Sequence, residues 1–183
     1  MQVAIIGAGP LGRWLALAAA RAGYTVLLED VMPANLHHAE EYLRQRLGPA
    51  AMPKVMFAST IEGAVREADL AIDCVPDELE SKLEIFCLLD RMAPPRTVLV
   101  TPTKKLSIAD LASCTYRAEK CVALVANVQE LSSSSLSEVA ERGNGAKILL
   151  RTPPQVTEET VGLVKEFWER VGFAPRFEPD RMQ

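Results

Sequence analysis

The hexapeptide Gly7-Ala8-Gly9-Pro10-Leu11-Gly12 leaves this chain few architectures to choose from. It follows directly on the apolar run Val3-Ala4-Ile5-Ile6 and opens an alanine-rich stretch of helical composition. Strand, glycine turn and helix in that order are the setting of a dinucleotide-binding fingerprint. Gly7 permits the tight turn off the strand, Gly9 lets the backbone approach a pyrophosphate, and Gly12 lets the helix pack closely on the sheet. The free N–H groups of the first helical turn, at the positive end of the helix dipole, then face the phosphates. A second apolar run, Val26-Leu27-Leu28, ends in Glu29-Asp30, and Asp30 lies 18 residues after Gly12. A carboxylate there can accept hydrogen bonds from both ribose hydroxyls and repels a 2′-phosphate. The expected ligand is therefore NAD(H) rather than NADP. The competing reading is that the glycines only make a tight turn.

The rest of the chain alternates strand and helix, which predicts an α/β fold with a doubly wound, mainly parallel sheet of Rossmann type. Residues 2–6 and 25–29 read as strands. Residues 10–22 read as a helix closed by Gly23 at its C′ position. A helix over 33–47 is stopped by Gly48-Pro49, and 55–57 is a short third strand. Ser59, three residues before Glu62, reads as the capping box of a short helix. Residues 70–75 form a fourth strand, and Asp77 is expected to cap a helix running to about 92. Strands are expected at 97–100, 122–125 and 148–150, then a helix capped by Thr157 and an edge strand at 174–177. One segment breaks the rhythm, an irregular polar insertion at about 129–146 with Ser132-Ser133-Ser134-Ser135 and Gly143-Asn144-Gly145. The whole of 1–183 reads as a single domain.

With 49% hydrophobic and 24% charged residues, the composition is that of an ordinary globular protein. A net charge of −4 gives no support to nucleic-acid or anionic-membrane binding. No apolar run approaches the roughly 20 residues that span a bilayer. The first strand starts at Gln2 or Val3, so no signal or transit peptide is expected. Cys74, Cys87, Cys114 and Cys121 lack metal-ligand spacing and are expected to be reduced thiols, which places the protein in the cytoplasm.

From the glycine turn onward the chain resembles the NAD-binding domain of the L-3-hydroxyacyl-CoA dehydrogenases. Three blocks carry the resemblance beyond Asp30. Asp73-Cys74-Val75-Pro76-Asp77-Glu78-Leu79-Glu80-Ser81-Lys82-Leu83-Glu84-Ile85-Phe86 matches the family's acidic-apolar stretch running into a lysine. Thr101-Pro102-Thr103-Lys104-Lys105-Leu106-Ser107-Ile108 matches its Thr-Asn-Thr-Ser-Ser-Leu-Ser-Ile segment, and Val156-Thr157-Glu158-Glu159-Thr160 its Thr-Ser-Glu-Glu-Thr helix start. The resemblance implies that Val75, Pro76, Asp77 and Lys82 join Gly7, Gly9, Pro10, Leu11, Gly12 and Asp30 at the cofactor. For Lys82 a solvated helix lysine is the alternative; for Asp77 it is a plain helix cap.

The catalytic positions depart from the family. Its general-base histidine follows the sixth strand in Gly-x-His-Phe-Phe-Asn-Pro, where this chain reads Val122-Ala123-Leu124-Val125-Ala126-Asn127-Val128. Leu124 stands in place of the histidine, and a leucine cannot take a proton. The two histidines of the chain, His37 and His38, fall on the helix after the second strand, at the adenosine side. The family serine that holds the substrate oxygen falls at Lys104 or Lys105. The orienting glutamate falls at Leu149 in one alignment and at Glu138 in another. The resemblance covers the family's NAD-binding domain, and its helical second domain is expected to be absent.

Three classes of function stay open: a hydroxyacyl-CoA dehydrogenase-type oxidoreductase, a non-catalytic NAD-binding module or subunit, and a remnant domain. Lys104 and Lys105 are weak candidates for an acid–base role, or for holding an anionic, acyl-CoA-like substrate. A homodimer is plausible if an apolar surface is left uncovered.

Overall fold

The structure is a computed structural model, and it describes residues 1–126 and 146–180. Those residues build one sheet with strand order β3-β2-β1-β4-β5-β6-β7-β8. The strands are β1 (Gln2–Ile6), β2 (Thr25–Glu29), β3 (Val55–Ala58), β4 (Leu70–Asp73), β5 (Val98–Pro102), β6 (Cys121–Leu124), β7 (Ala146–Thr152) and β8 (Phe173–Pro179). All neighbours pair parallel except β6 and β7, where Ala123 faces Arg151 and Leu124 faces Leu150 in antiparallel register.

The helices are α1 (Pro10–Arg21), α2 (Pro33–Arg46), α3 (Ile61–Val65), α4 (Leu79–Met92), α5 (Ile108–Ala112) and α6 (Glu158–Val171). Alternation along each strand sends side chains to two cores. Val3, Ile5, Val26 and Leu28 pack under α1, α2 and α6, with Leu15, Leu43, Phe167 and Trp168. Ala4, Ile6, Ala71 and Leu99 pack under α3, α4 and α5, with Val65, Phe86 and Leu111. The expected doubly wound architecture is present, with a core on each face.

Strand order reverses at β1. The chain winds outward through β2 and β3, then returns to place β4 on the other side of β1. Loops leaving the carboxyl ends of β1 and β4 therefore diverge and open a crevice, where ligands of such sheets bind.

Two predicted caps are corrected. Thr60, not Ser59, is the N-cap of α3, and its side chain accepts from Gly63 N. Glu78, not Asp77, occupies the N-cap of α4 and makes no side-chain capping bond there. Thr157 does cap α6 by accepting from Thr160 N at 3.2 Å. The sequence reading passed over α5, whose N-cap Ser107 accepts from Asp110 N at 3.2 Å. Asp180 holds that cap from the far end of the chain, accepting from Ser107 Oγ at 2.6 Å and Ala109 N at 2.9 Å. Most of the polar insertion predicted at about 129–146 lies outside the described residues, as do Asn127 and Glu138.

Candidate cofactor site

The glycine turn connects β1 to α1 in the manner its sequence predicts. Gly7 adopts φ 102°, a left-handed conformation in which a side chain is strained. A Cβ at Gly12 would stand 1.8 Å from the carbonyl oxygen of Gly7, so the helix can approach the turn this closely only without one. The first backbone bond of α1 runs from Arg13 N to Gly9 O at 3.0 Å. Amides N-terminal to it have no intrahelical acceptor and are available to an anion. Leu11, by contrast, buries its side chain in the core and offers the site only its amide.

In front of the turn lies a cleft of about 430 Å³, lined by Gly7, Gly9, Glu29, Asp30, Asn35, Val75, Pro76 and apolar side chains that include Ile61 and Ile85. A Cβ added at Gly9 would meet no protein atom within 4 Å, so the backbone at Gly9 is open for close approach by a ligand. Glycine amides next to such a cleft suit a pyrophosphate, and its apolar walls suit a flat base. The residues present thus fit a dinucleotide.

Asp30 does more than the sequence implied. Its Oδ2 accepts from Ala8 N at 2.9 Å and from Asn35 Nδ2 at 3.0 Å, and its Oδ1 accepts from Met32 N at 2.8 Å. A carboxylate offers about four acceptor positions. Three are taken, which leaves about one acceptor position open. Asp30 is thereby a strut between the glycine turn and the start of α2 as well as a candidate ribose ligand.

Glu29 is its opposite. The side chain is 5% exposed and lines the cleft. Its carboxyl has no hydrogen-bond or ion-pair partner among the described residues. Burial, reinforced by the charge of Asp30, pushes it up to about 7.

Lys82 excludes the alternative of its two readings. It is not a solvated helix lysine, because its side chain is fully buried. Nor does it line the cleft in this conformation. Its Nζ donates to Asp73 Oδ2 at 3.0 Å and to Val75 O at 3.4 Å. Asp73, also fully buried, further accepts from Thr101 Oγ1 at 2.9 Å and Val75 N at 2.9 Å. Burial pushes the Asp73 carboxyl up, against the opposing pull of Lys82 and these donors. Lys82 and Asp73 therefore set the loop carrying Val75 and Pro76 from behind. Asp77, next on that loop, accepts from Lys104 N at 3.2 Å through Oδ2, while its Oδ1 is buried without a partner.

The catalytic positions come together less well. Lys104 and Lys105 are exposed on the loop after β5. Leu124 is fully buried at the end of β6, in the core under α1 and α6. Leu149 is half-buried in β7, paired with Arg176 of β8. His37 lies exposed on α2, 3.4 Å from Glu41, and His38 is exposed beside it. All four cysteines are free thiols; burial raises Cys114 to about 11 and Cys121 to about 12.

The family model of the 3-hydroxyacyl-CoA dehydrogenase NAD-binding domain matches residues 2–170. The chain belongs to that family. A probable 3-hydroxybutyryl-CoA dehydrogenase of Bacillus subtilis is 29% identical over 136 residues, covering 67% of this chain and 47% of the relative. A 3-hydroxyadipyl-CoA dehydrogenase of Escherichia coli is 27% identical over 176 residues, 90% of this chain and 36% of the relative. The chain thus spans about half the length of these curated relatives, or less. The solved 3-hydroxybutyryl-CoA dehydrogenase of E. coli superposes with a TM-score of 0.81 at 23% identity, over 98% of this chain and 38% of that one. Prephenate dehydrogenase of A. aeolicus superposes with a TM-score of 0.72 at 18% identity, covering 98% of this chain and 60% of the other. Likeness at these identities shows the fold alone. Sequence reasoning missed Asn35 and the apolar walls Ile61 and Ile85. The signal for Asn35 was its place in the first turn of α2, five residues after Asp30.

Among the described residues, no helix is long and apolar enough to cross a membrane, and no group of three or more His, Cys, Asp or Glu side chains is placed to hold a metal ion.

Proposed function

We propose that this chain binds NAD(H), with its pyrophosphate on the Gly7–Gly12 turn and its adenosine in the 430 Å³ cleft beside Asp30. The observation that carries this reading is the glycine turn itself: open amides at a helix N-terminus, held against the cleft by the Asp30 to Ala8 hydrogen bond. The bound nicotinamide would supply hydride chemistry. The protein's own contribution is to bind and orient it, through the glycine-turn amides, Asp30 and the Val75–Asp77 loop. The test is titration of the purified protein with NADH and NADPH, followed by cofactor fluorescence. NADH should bind more tightly than NADPH, and Asp30→Asn should narrow that difference whatever it does to the turn. An unchanged ratio would show that Asp30 is not the selector.

The chain is further read as the cofactor domain of an oxidoreductase of 3-hydroxyacyl-CoA dehydrogenase type, with an acyl-CoA-like substrate, that lacks the family's own proton acceptor. Leu124 supports this reading, because its side chain is committed to the core and carries no lone pair. Removing a general base costs roughly 10²–10⁴ in rate. Oxidation of NADH with acetoacetyl-CoA should therefore fall well below roughly 1 per second. Turnover in the normal enzyme range would instead direct attention to Lys104 and Lys105. Free thiols at all four cysteines fit a reducing cytoplasmic setting.

A further inference from the structure

The Glu29 carboxyl lies at the end of β2, on the side of the sheet that carries Leu27 and Ile6. Asp30, one residue later, turns to the other side and meets Asn35 of α2. Glu29 is therefore the acidic group on the apolar side of the cleft, among Ile6, Ile61, Val75 and Ile85. A buried carboxyl without a donor is costly in its ionised form. Among the described residues nothing pairs its charge, so the ionised form is disfavoured. Asp30 opposes ionisation. Cys74 of the loop after β4 stays protonated, because burial raises its thiol far up. From α3 the cleft receives Ile61, while Glu62 and Arg66 pair with one another at 3.7 Å at the surface. From α4 it receives Ile85, and from α2 it receives Asn35, with His37 and His38 exposed on that helix.

A neutral carboxylic acid has one O–H donor beside one C=O acceptor. Adenine presents the complement on one edge, the N1 acceptor beside the N6 amino donor. We propose that Glu29 is a specificity-determining residue of the adenosine subsite, where its protonated carboxyl pairs with the N1 and N6 edge of adenine. This rests on the reading that the cleft takes NAD(H). The ionised carboxylate can accept from N6 but repels the N1 lone pair, so binding is coupled to the proton on Glu29. Glutamine reproduces the donor–acceptor pair without titrating.

With the free carboxyl half-ionised at about pH 7, the apparent Kd for NADH should rise about tenfold between pH 6 and pH 8. Glu29→Gln should bind with a Kd near the low-pH value and no pH slope across that range. Glu29→Leu should bind weakly at every pH. A second arm needs no variant. Nicotinamide 1,N6-ethenoadenine dinucleotide has N1 and N6 tied into a ring and cannot form the pair. The unaltered protein should bind it about tenfold or more weakly than NAD at pH 6, without the pH slope. A flat NADH profile, or a slope that survives Glu29→Gln, overturns the proposal. So does an etheno analogue that binds as NAD does, which would move Glu29 to the ribose. Failure of NADH to bind at any pH overturns the underlying cofactor reading, and this inference with it.

Discussion

At the carboxyl edge of the sheet, the β1–β2–β4 side carries a framework of buried polar groups, whereas the β5–β6 side closes over apolar side chains. Asp30 and the Asp73–Lys82–Thr101 cluster each satisfy three or more hydrogen bonds, and both tie backbone segments that border the cleft. On the other side, Leu124 and Leu150 face each other in register and sink into the core. Lys104 and Lys105 lie exposed on the loop after β5. The contrast teaches that cofactor capture and proton transfer are separable parts of one fold. The first is built from backbone amides and carboxylates gathered at the carboxyl ends of neighbouring strands, and the second needs reactive side chains delivered to one point.

The largest effect should come from breaking the polar framework. Lys82→Ala leaves Asp73 as an uncompensated buried charge, and should cost about 3–5 kcal/mol in urea unfolding at neutral pH. A companion Lys82→Met, Asp73→Asn double variant should recover much of that loss. If Lys82→Ala unfolds like the unaltered protein, the pair is not what holds the loop.

On the apolar side, Leu124→His places an imidazole at a fully buried position in the apolar core, at a cost of about 3 kcal/mol. Reduction of acetoacetyl-CoA should not appear with it. Restored turnover would erase the difference between the two sides.

The pH dependence of stability distinguishes the two carboxylates at the cleft. The folded pKa of Glu29 is raised from 4.5 to about 7, so its stabilising contribution is complete below about pH 4.5 and is lost as pH rises through 7. Compared with Glu29→Gln, the unaltered protein should lose about 3 kcal/mol over that window, read from urea midpoints at several pH values. Parallel pH curves for the two proteins would place Glu29 in water.

The smallest effect lies away from both sides. Thr157→Ala removes the α6 cap and should cost about 1 kcal/mol, with NADH affinity unchanged. A change in affinity would mean that α6 is coupled to the cleft.

Much of the cofactor half was legible in the primary structure because its signals are local. The turn from Gly7 to Gly12, the left-handed closure at Gly23 and the acidic end of β2 each depend on neighbours in the chain. The cap of α3 was misplaced by one residue because Ser59 and Thr60 are equally able caps, and strand pairing of β3 up to Ala58 decides which one starts the helix. The short helix α5 escaped notice because five residues carry almost no periodicity. Arg117 was equally silent. Its guanidinium closes the end of α4 by donating to Pro94 O at 2.6 Å, Asp90 O at 2.7 Å and Ala93 O at 3.1 Å, across more than twenty positions of sequence.

Local signals in the chain set the order of the strands and longer helices, the mainly parallel sheet and the glycine turn, because backbone sterics and hydrophobic period act over a few residues. Tertiary structure decided what the charged side chains became. Glu29 and Asp30 are adjacent acids with the same composition signal, yet strand alternation sends one to a strut of donors and the other to an apolar wall. Lys82 reads as a cofactor lysine or a solvated helix lysine until α4 packs its Nζ onto Asp73. Solvation of a charge is a property of everything around it, and that is set only when distant segments meet.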